Sequence, residues 1–231
     1  MNPRKLLVFD LDGTLAETAG DLIGTLNFIL AREGIPPVDL AQARFMLGAG
    51  AKALIERGYA AQNVPLAPAK LQQLFGDFLA HYEAHIADES FLFPGVVAAL
   101  DRFNAAGWDF AVCTNKIEAP ARKLLDALGV ADRFRAIVGQ DTFAIAKPDP
   151  RILEQTIAMA GGVVESAIMV GDSHTDIATA RRLGIPVVAV DFGYTDTPVS
   201  ELGPDRVISH FDALWDAVAE LCALTPPASP A

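Results

Sequence analysis

Short apolar runs and amphipathic stretches follow each other along the chain, and their order changes near residue 91. An apolar run at 4–9 predicts a strand. The spacing of apolar residues then predicts helices at 16–32, 40–58 and 68–86, with breaks that contain Gly or Pro between them. Three consecutive helices without a strand predict an all-helical unit directly after the first strand.

From Phe91 onward, predicted helices alternate with predicted strands. The predicted strands lie at 108–115, 136–139, 166–172, 186–190 and 206–208, with helices to about 106 and at 118–128, 149–160, 175–184 and 211–223. Such alternation is typical of parallel strands joined by right-handed helical crossovers. The sequence therefore predicts an α/β fold, in which a Rossmann-like parallel sheet core carries an inserted all-helical cap domain.

The insertion divides the chain into a core and a cap. We place the core at 1–15 and 88–225, the helical cap at 16–87, and a frayed tail at 226–231. The cap begins just after Asp10 and Asp12. A mobile helical unit would therefore be hinged beside these two carboxylates.

Composition and charge narrow the functional classes. The net charge of −11 argues against nucleic-acid binding, which uses Lys and Arg to displace counterions. No apolar run approaches the roughly 20 residues of a membrane span, and the N-terminal apolar run is too short for a secretory signal core. Cys113 and Cys222 form neither a disulfide framework nor a zinc-site pattern. We therefore expect a cytoplasmic protein that binds neither membrane nor nucleic acid, and the sequence does not indicate an oligomeric state.

Polar residues follow the predicted strands at positions that a parallel sheet would bring to one edge. Ligands bind outside the carboxyl ends of the strands in such sheets. The residues at these ends, and in one loop ahead of a helix, are Asp10, Asp12, Thr114, Asn115, Lys116, Lys147, Asp172, Ser173 and Asp176. Their convergence predicts a site for a metal ion and an anion.

Carboxylates from two strand ends suit one hard cation. Asp10 and Asp172 can both supply oxygen ligands to Mg²⁺, and the main-chain carbonyl of Asp12 can supply a third. Without a cation, the carboxylates would repel each other and raise each other's pKa. We therefore predict a Mg²⁺ cofactor that is bound by Asp10, Asp12 and Asp172.

Asp10 and Asp12 are two residues apart, so they can face the same side of an extended chain. We expect Asp10 to attack a phosphorus as the nucleophile, and Asp12 to protonate the leaving oxygen and later accept a proton from water. Lys147 would neutralise phosphoryl oxygens, and Thr114 would donate a hydrogen bond to one of them. This pattern favours hydrolysis of a small anionic phosphomonoester.

Four short motifs, in this order, resemble those of one enzyme family. They are "DLDGT" at 10–14, "CTN" with Thr114, "KP" at 147–148 and "GDSHTD" at 171–176. Together they resemble the motifs of the haloacid dehalogenase-like hydrolases, and the likeness covers nearly the whole chain. The resemblance implies a Mg²⁺-dependent phosphatase that forms an aspartyl-phosphate on Asp10 beneath a helical cap.

The resemblance extends to residues around the predicted metal ligands. It implies that Asp176 braces the site, and we place Ser173 beside it. We assign Gly13, Asn115 and Lys116 to binding of phosphate or substrate, although Ser173 and Asn115 could instead satisfy loop backbone and Lys116 could be a surface lysine. The stretches "TNK", "KPDP" and "FGYTD" are similar to family members that act on 2-phosphoglycolate, which implies this small acid as the substrate.

The predicted cap contains a second candidate for anion binding. Gly48 and Gly50 precede the predicted helix at 51–57, so free main-chain N–H groups could face a substrate carboxylate, with help from Lys52 or Arg57. An ordinary glycine turn before an amphipathic helix accounts for the same residues. Both interpretations stay open on the sequence alone.

Three other functions would use the same core residues. A sugar phosphomutase would need a phosphoenzyme that survives water, and a phosphatase for another small phosphorylated metabolite would differ in its cap. A phosphate-binding protein without catalysis is disfavoured by the complete set of motifs. An assay of phosphate release with and without EDTA separates catalysis from binding alone.

Overall fold

A computed structural model describes residues 5–224, so the predicted tail at 226–231 lies outside the described residues. The described strands are β1 (Leu6–Phe9), β2 (Ala16–Glu17), β3 (Phe91–Leu92), β4 (Asp109–Cys113), β5 (Ala136–Val138), β6 (Ala167–Gly171), β7 (Val187–Val190) and β8 (Arg206–Ile208). The described helices are α1 (Ala19–Arg32), α2 (Leu40–Ala43), α3 (Ala51–Ala61), α4 (Pro68–Ala84), α5 (Val96–Ala105), α6 (Glu118–Ala127), α7 (Pro150–Met159), α8 (His174–Leu183) and α9 (Leu214–Leu224).

Six of these strands form one parallel sheet in the order β5-β4-β1-β6-β7-β8. The first strand in the chain, β1, therefore lies inside the sheet between β4 and β6. All four β1 residues are buried, and they alternate between two hydrophobic clusters on opposite faces of the sheet. A continuous apolar run suits such a strand because both of its faces are covered. The predicted α/β fold with a parallel core is confirmed.

The helices α1 to α4 follow one another between the two short strands β2 and β3, as the all-helical insertion predicts. The apolar faces of α1, α3 and α4 pack together around side chains such as Leu26, Ile55 and Phe78. These side chains belong to the same hydrophobic cluster as one face of the sheet. The strands β2 and β3 pair antiparallel where the chain enters and leaves the helical unit. This unit therefore packs over the sheet instead of standing apart from it.

Two predicted helices in this unit have different bounds in the structure. The helix predicted at 16–32 begins at Ala19, because residues 16 and 17 form β2. The helix predicted at 40–58 is wrong: it is divided into α2, a 3₁₀ turn at Arg44–Met46, and α3. Gly48 and Gly50, with φ angles of 89° and 86° in the left-handed region, lie between the 3₁₀ turn and α3, so one helix does not continue through them.

Among the described residues, no helix is both long enough and apolar enough to cross a membrane.

Two glycines in the helical unit should respond differently to alanine. A Cβ at Gly58 of α3 would lie 2.8 Å from Cδ1 of the buried Leu26, whereas a Cβ at Gly76 of α4 would meet nothing within 4 Å. We expect Gly58→Ala to lower the free energy of unfolding by about 1–2 kcal/mol through overpacking. We expect Gly76→Ala to raise it by about 0.5–1 kcal/mol, because Ala favours a helix more than Gly does. Urea unfolding of both variants checks this pair, and an equal gain in both would contradict the packing of α1 on α3.

Candidate active site

The carboxyl ends of β1, β4 and β6 bring the predicted site residues to one edge of the sheet. Asp10 follows β1 directly, and its main-chain N–H donates to the carbonyl of Val170 in β6 at 2.9 Å. Thr114 follows β4, and Asp172 follows β6. Because β1 lies between β4 and β6, residues that are far apart in the sequence become neighbours here.

Three carboxylates form a compact buried cluster at this edge. Asp10, Asp172 and Asp176 each place an oxygen within 4.8 Å of the others. Burial and the charge of Asp176 raise the pKa of Asp10 to about 7. Burial, Asp176 and Asp10 together raise the pKa of Asp172 to about 8. Hard oxygen donors that repel one another at this distance suit a divalent cation, which would remove the repulsion.

The Lys147 ammonium lies against the same cluster. Its Nζ is 2.6 Å from Oδ1 of Asp176 and 2.8 Å from Oδ1 of Asp10, and the side chain is 1% exposed. Burial alone would lower the pKa of Lys147, but its attraction to Asp10 and Asp176 raises it above the ordinary value. Lys147 therefore stays charged, and it neutralises part of the cluster.

Asp172 is held by two donors from distant parts of the chain, and sequence reasoning missed both. Thr14 Oγ1 donates to Oδ1 at 2.9 Å, and the main-chain N–H of Tyr194 donates to Oδ2 at 2.8 Å.

Two glycines lie close to the same carboxylate. A Cβ at Gly193 would clash with Asp172, and a Cβ at Gly13 would lie 2.6 Å from Asp172 Oδ2. These glycines permit close approach of the backbone to Asp172, so Gly13 contacts a carboxylate of the cluster. Thr14 and Tyr194 lie inside the stretches "DLDGT" and "FGYTD", which is the signal that could have identified them.

Asp176 is oriented on both of its oxygens. Its Oδ1 accepts from Lys147, and its Oδ2 accepts from the main-chain N–H of Ser173 at 3.0 Å and from the Ser173 hydroxyl. Ser173 is also the N-cap of α8, so the pair forms a capping box. Ser173 and Asp176 therefore brace the beginning of this helix beside Asp10.

Asp12 and Lys116 form an ion pair next to the cluster. Lys116 Nζ is 2.9 Å from Oδ1 of Asp12 and 3.2 Å from Oδ2. Thr18 Oγ1 donates to the same Oδ1 at 2.8 Å. Burial would lower the pKa of Lys116, but Asp12 raises it above the ordinary value. Lys116 is thus a buried cation of the site and not a surface lysine.

A cleft opens over Asp10 and Asp12, between the sheet edge and the helical unit. On the sheet side it is lined by Asp10, Asp12, Thr114, Asn115, Lys116, Ile117, Pro120 and Gln140. On the helical side it is lined by Leu22, Leu47, Gly48, Gly50, Ala51, Leu54, Phe78, Leu79 and Tyr82. The helical wall is therefore mainly apolar, and its polar groups are the main chain at the beginning of α3 and one tyrosine hydroxyl.

The remaining predicted residues divide into two groups. Asn115 lines the cleft, and its side chain also holds the Lys147 loop, since Oδ1 accepts from Lys147 N at 2.9 Å and Nδ2 donates to Lys147 O at 3.3 Å. Thr114 lines the cleft and accepts from the main-chain N–H of Lys116 at 3.1 Å.

Lys52 and Arg57 do not line the cleft. Lys52 Nζ lies over the Phe75 ring, and Arg57 donates to the carbonyl of Met46. The structure therefore corrects the expectation that these two side chains meet the anion at Gly50.

Comparisons with known proteins agree on one family. Residues 7–190 match the family model described as "Haloacid dehalogenase-like hydrolase". The phosphoglycolate phosphatase of Mesorhizobium japonicum is 52% identical over 217 residues, which cover 94% of this chain and 96% of the relative. That of Caulobacter vibrioides is 47% identical, over 89% of this chain and 86% of the relative. A crystal structure of a "predicted phosphoglycolate phosphatase" from Haemophilus somnus 129pt superimposes with a TM-score of 0.86 at 26% identity, over 94% of this chain and 99% of that one.

The raised pKa values of Asp10 and Asp172 predict an unusual pH dependence of stability. Both groups start near 3.8 in the unfolded chain and reach about 7 and about 8 in the folded one, so the folded protein binds more protons between pH 4 and 8. The free energy of unfolding in EDTA should therefore fall as the pH rises through this window. Added Mg²⁺ should raise the melting temperature more at pH 8 than at pH 5.5, since binding must displace protons at the lower pH.

Thermal unfolding with EDTA or with Mg²⁺ at the two pH values measures this effect. The Asp10→Asn, Asp172→Asn double variant is the control, because it lacks both titrating groups and should show an equal, small response at each pH. A Mg²⁺ shift in the unaltered protein that does not depend on pH would contradict the prediction.

Proposed function

The chain belongs to the haloacid dehalogenase-like hydrolases and is a phosphatase, and on that premise we propose that it hydrolyses 2-phosphoglycolate with Mg²⁺ through a phosphorylated Asp10. The observation that carries the proposal is the buried cluster of Asp10, Asp172 and Asp176 with Lys147, of which Asp10 lines a cleft at the sheet edge. The substrate is taken from the curated relatives, which are named phosphoglycolate phosphatase.

In the first step, Asp10 attacks the phosphorus of the ester. The main-chain N–H of Leu11 and Lys147 Nζ both donate to Oδ1 of Asp10, so we assign the attack to Oδ2. The new bond joins this oxygen to phosphorus, and the bond from phosphorus to the ester oxygen breaks. Asp12 gives its proton to the leaving alkoxide, which departs as the alcohol. Lys147 and Thr114 stabilise the negative charge on the phosphoryl oxygens.

In the second step, water attacks the phosphorus of the aspartyl-phosphate. Asp12 now accepts the proton of this water, because the first step left it ionised. The bond between Asp10 and phosphorus breaks, and inorganic phosphate leaves. Both carboxylates return to their starting states, so no further reactant is needed.

The residues of the cluster fit the Mg²⁺ that this chemistry requires. We assign its protein ligands to Asp10, the main-chain carbonyl of Asp12, and Asp172. When bound, Mg²⁺ would supply positive charge to the phosphoryl group and hold it in line with Asp10. We place Asp176 beside this set as a bracing residue, which holds Lys147 through Oδ1 and the beginning of α8 through Oδ2.

The helical cap, which we place at 16–87, is proposed to select the substrate. Its wall in the cleft is mainly apolar, and the N-terminus of α3 at Gly50 and Ala51 faces the same cleft. Free main-chain N–H groups at a helix N-terminus favour an anion. This end of α3 is thus a candidate for contact with the substrate, without Lys52 or Arg57. The core, at 1–15 and 88–225, would carry out the same chemistry on any ester that the cap admits.

Substitution of the proposed nucleophile gives a direct test of the mechanism. Asp10→Asn should lower kcat by at least about 10³-fold, because the amide does not replace the nucleophilic carboxylate. Asp39→Asn is a matched control, since Asp39 is an exposed helix cap outside the cleft and Asn caps equally well. Phosphate release and thermal unfolding should be measured for both variants. Retention of turnover by a folded Asp10→Asn protein would remove Asp10 from the role of nucleophile.

The substrate proposal predicts an order of activities. Among small phosphomonoesters, 2-phosphoglycolate should have the highest kcat/KM, because this ratio reports differential binding of the transition state. EDTA should abolish phosphate release, and Mg²⁺ should restore it. The measurement is free phosphate, without any bisphosphate activator, from a panel that includes sugar phosphates. A higher kcat/KM for a sugar phosphate would contradict the proposed substrate, and a need for a bisphosphate would indicate a mutase.

A further inference from the structure

Lys116 is the cation that faces the cleft. Among the described residues that line it, the charged ones are Asp10, Asp12 and Lys116. The Lys116 side chain is only 7% exposed, and the opposite wall is mainly apolar. We have assigned Lys147, which lies against Asp10, to the phosphoryl group. In a chain with a net charge of −11, Lys116 is then the lining cation that is available to a second anionic group of a substrate.

That ammonium is already engaged by the proposed acid–base residue. Lys116 Nζ contacts both oxygens of Asp12, at 2.9 and 3.2 Å. Thr18 also donates to Asp12 Oδ1. Both carboxylate oxygens therefore have donors on them, and departure of Lys116 would leave Oδ2 free for a hydrogen bond to the ester oxygen of a substrate.

A tyrosine side chain from the cap lies beside the same ammonium. Lys116 Nζ lies 4.5 Å from the centroid of the Tyr82 ring, and Tyr82 is 1% exposed. Its hydroxyl hydrogen has no acceptor in the part of the chain that the structure describes. A buried hydroxyl whose hydrogen has no acceptor can donate to an anionic group that enters the cleft beside Lys116.

We propose that Lys116 and the Tyr82 hydroxyl bind the carboxylate of the substrate, and that Lys116 leaves Asp12 to do so. The inference rests on the proposed function, and it assigns the specificity to two named side chains. When a phosphate ester with a neighbouring carboxylate binds, that carboxylate would draw Lys116 away from Asp12. Asp12 would then be free for proton transfer.

The chemistry of the substrate places its carboxylate within reach. In 2-phosphoglycolate, one carbon separates the ester oxygen from the carboxylate carbon. Asp12 must approach that ester oxygen to protonate it, and Lys116 is hydrogen-bonded to Asp12. The incoming carboxylate and Asp12 repel each other unless a cation lies between them. An ammonium has three donors on a flexible stem, so it can pass from one carboxylate to the other.

This exchange predicts where the discrimination between substrates occurs. An ester without the carboxylate leaves Lys116 on Asp12, so proton transfer stays slow even when the site is saturated. The preference for the carboxylated ester should therefore appear in kcat and not only in KM. A carboxylate site that merely improved binding would change KM alone.

The experiment compares 2-phosphoglycolate with ethyl phosphate, in which a methyl group replaces the carboxylate. The variants are Lys116→Met, which keeps a chain of similar length without the charge, and Tyr82→Phe, which keeps the ring without the hydroxyl. Lys123→Met is the matched control, because Lys123 also joins core and cap, through the Glu83 carbonyl, but does not line the cleft. All proteins are assayed at saturating Mg²⁺, and thermal unfolding confirms that each is folded.

We expect the unaltered protein to favour 2-phosphoglycolate over ethyl phosphate by about 10²-fold or more in kcat. In Lys116→Met, the kcat values for the two substrates should differ by no more than about threefold. A decrease in kcat that is the same for both substrates does not change this ratio. Tyr82→Phe should reduce the ratio by about tenfold, and Lys123→Met should leave it unchanged. If Lys116→Met does not fold, Lys116→Gln takes its place.

The outcomes separate the two proposals. If the unaltered protein prefers 2-phosphoglycolate but Lys116→Met slows both substrates equally, the role of Lys116 is overturned and the proposed function stands. If the preference for 2-phosphoglycolate over ethyl phosphate lies only in KM, Lys116 does not pass from Asp12 to the substrate, and that part of the proposal is overturned. If the unaltered protein does not distinguish the two esters, the proposed substrate fails, and this inference fails with it.

Discussion

The structure depends on the burial of three carboxylates at one edge of a parallel sheet. Like charges that lie this close repel one another strongly when they are buried, because little water is present to screen them. Lys147 offsets two of them directly, and donors from Thr14 and Tyr194 hold the third, Asp172. A divalent cation would remove most of the remaining repulsion. The sheet order, the loop geometry and the close glycine contacts all serve to keep these groups together.

Local sequence features predicted much of this arrangement. The apolar runs located the sheet strands, because strands covered on both faces need apolar residues throughout. The helix predicted at 149–160 matches α7 (Pro150–Met159), whose first turn is capped by the Asp149 side chain. The four motifs correctly indicated which strand ends converge, since a parallel sheet brings its carboxyl ends to one edge. The roles assigned to Asp10, Asp12 and Lys147 stay proposals that this geometry supports.

The sequence could not predict features that depend on long-range packing. The bond from Thr14 to Asp172 spans 158 residues, and the stretch "DLDGT" marks Thr14 without indicating which distant side chain it meets. Lys52 and Arg57 carry the right charge at the right place in the chain, but side-chain direction on α3 sends them to Phe75 and Met46. The break in the helix predicted at 40–58 depends on left-handed glycines, whose conformation apolar periodicity does not report. Apolar periodicity identifies the buried and the exposed face of a helix, whereas tertiary packing determines which residues each face contacts.

The position of β1 has a consequence for biosynthesis. Among the strands of this sheet β1 is made first, and its two neighbours, β4 and β6, are made about a hundred or more residues later. Pairings so distant in sequence form slowly, because much of the chain must be ordered before they are gained. The helices α1 to α4, which are made in between and pack on one another, can form earlier. In a nascent chain, the Asp10 carboxylate therefore lacks its partners until β6 and the residues that follow it have joined the sheet.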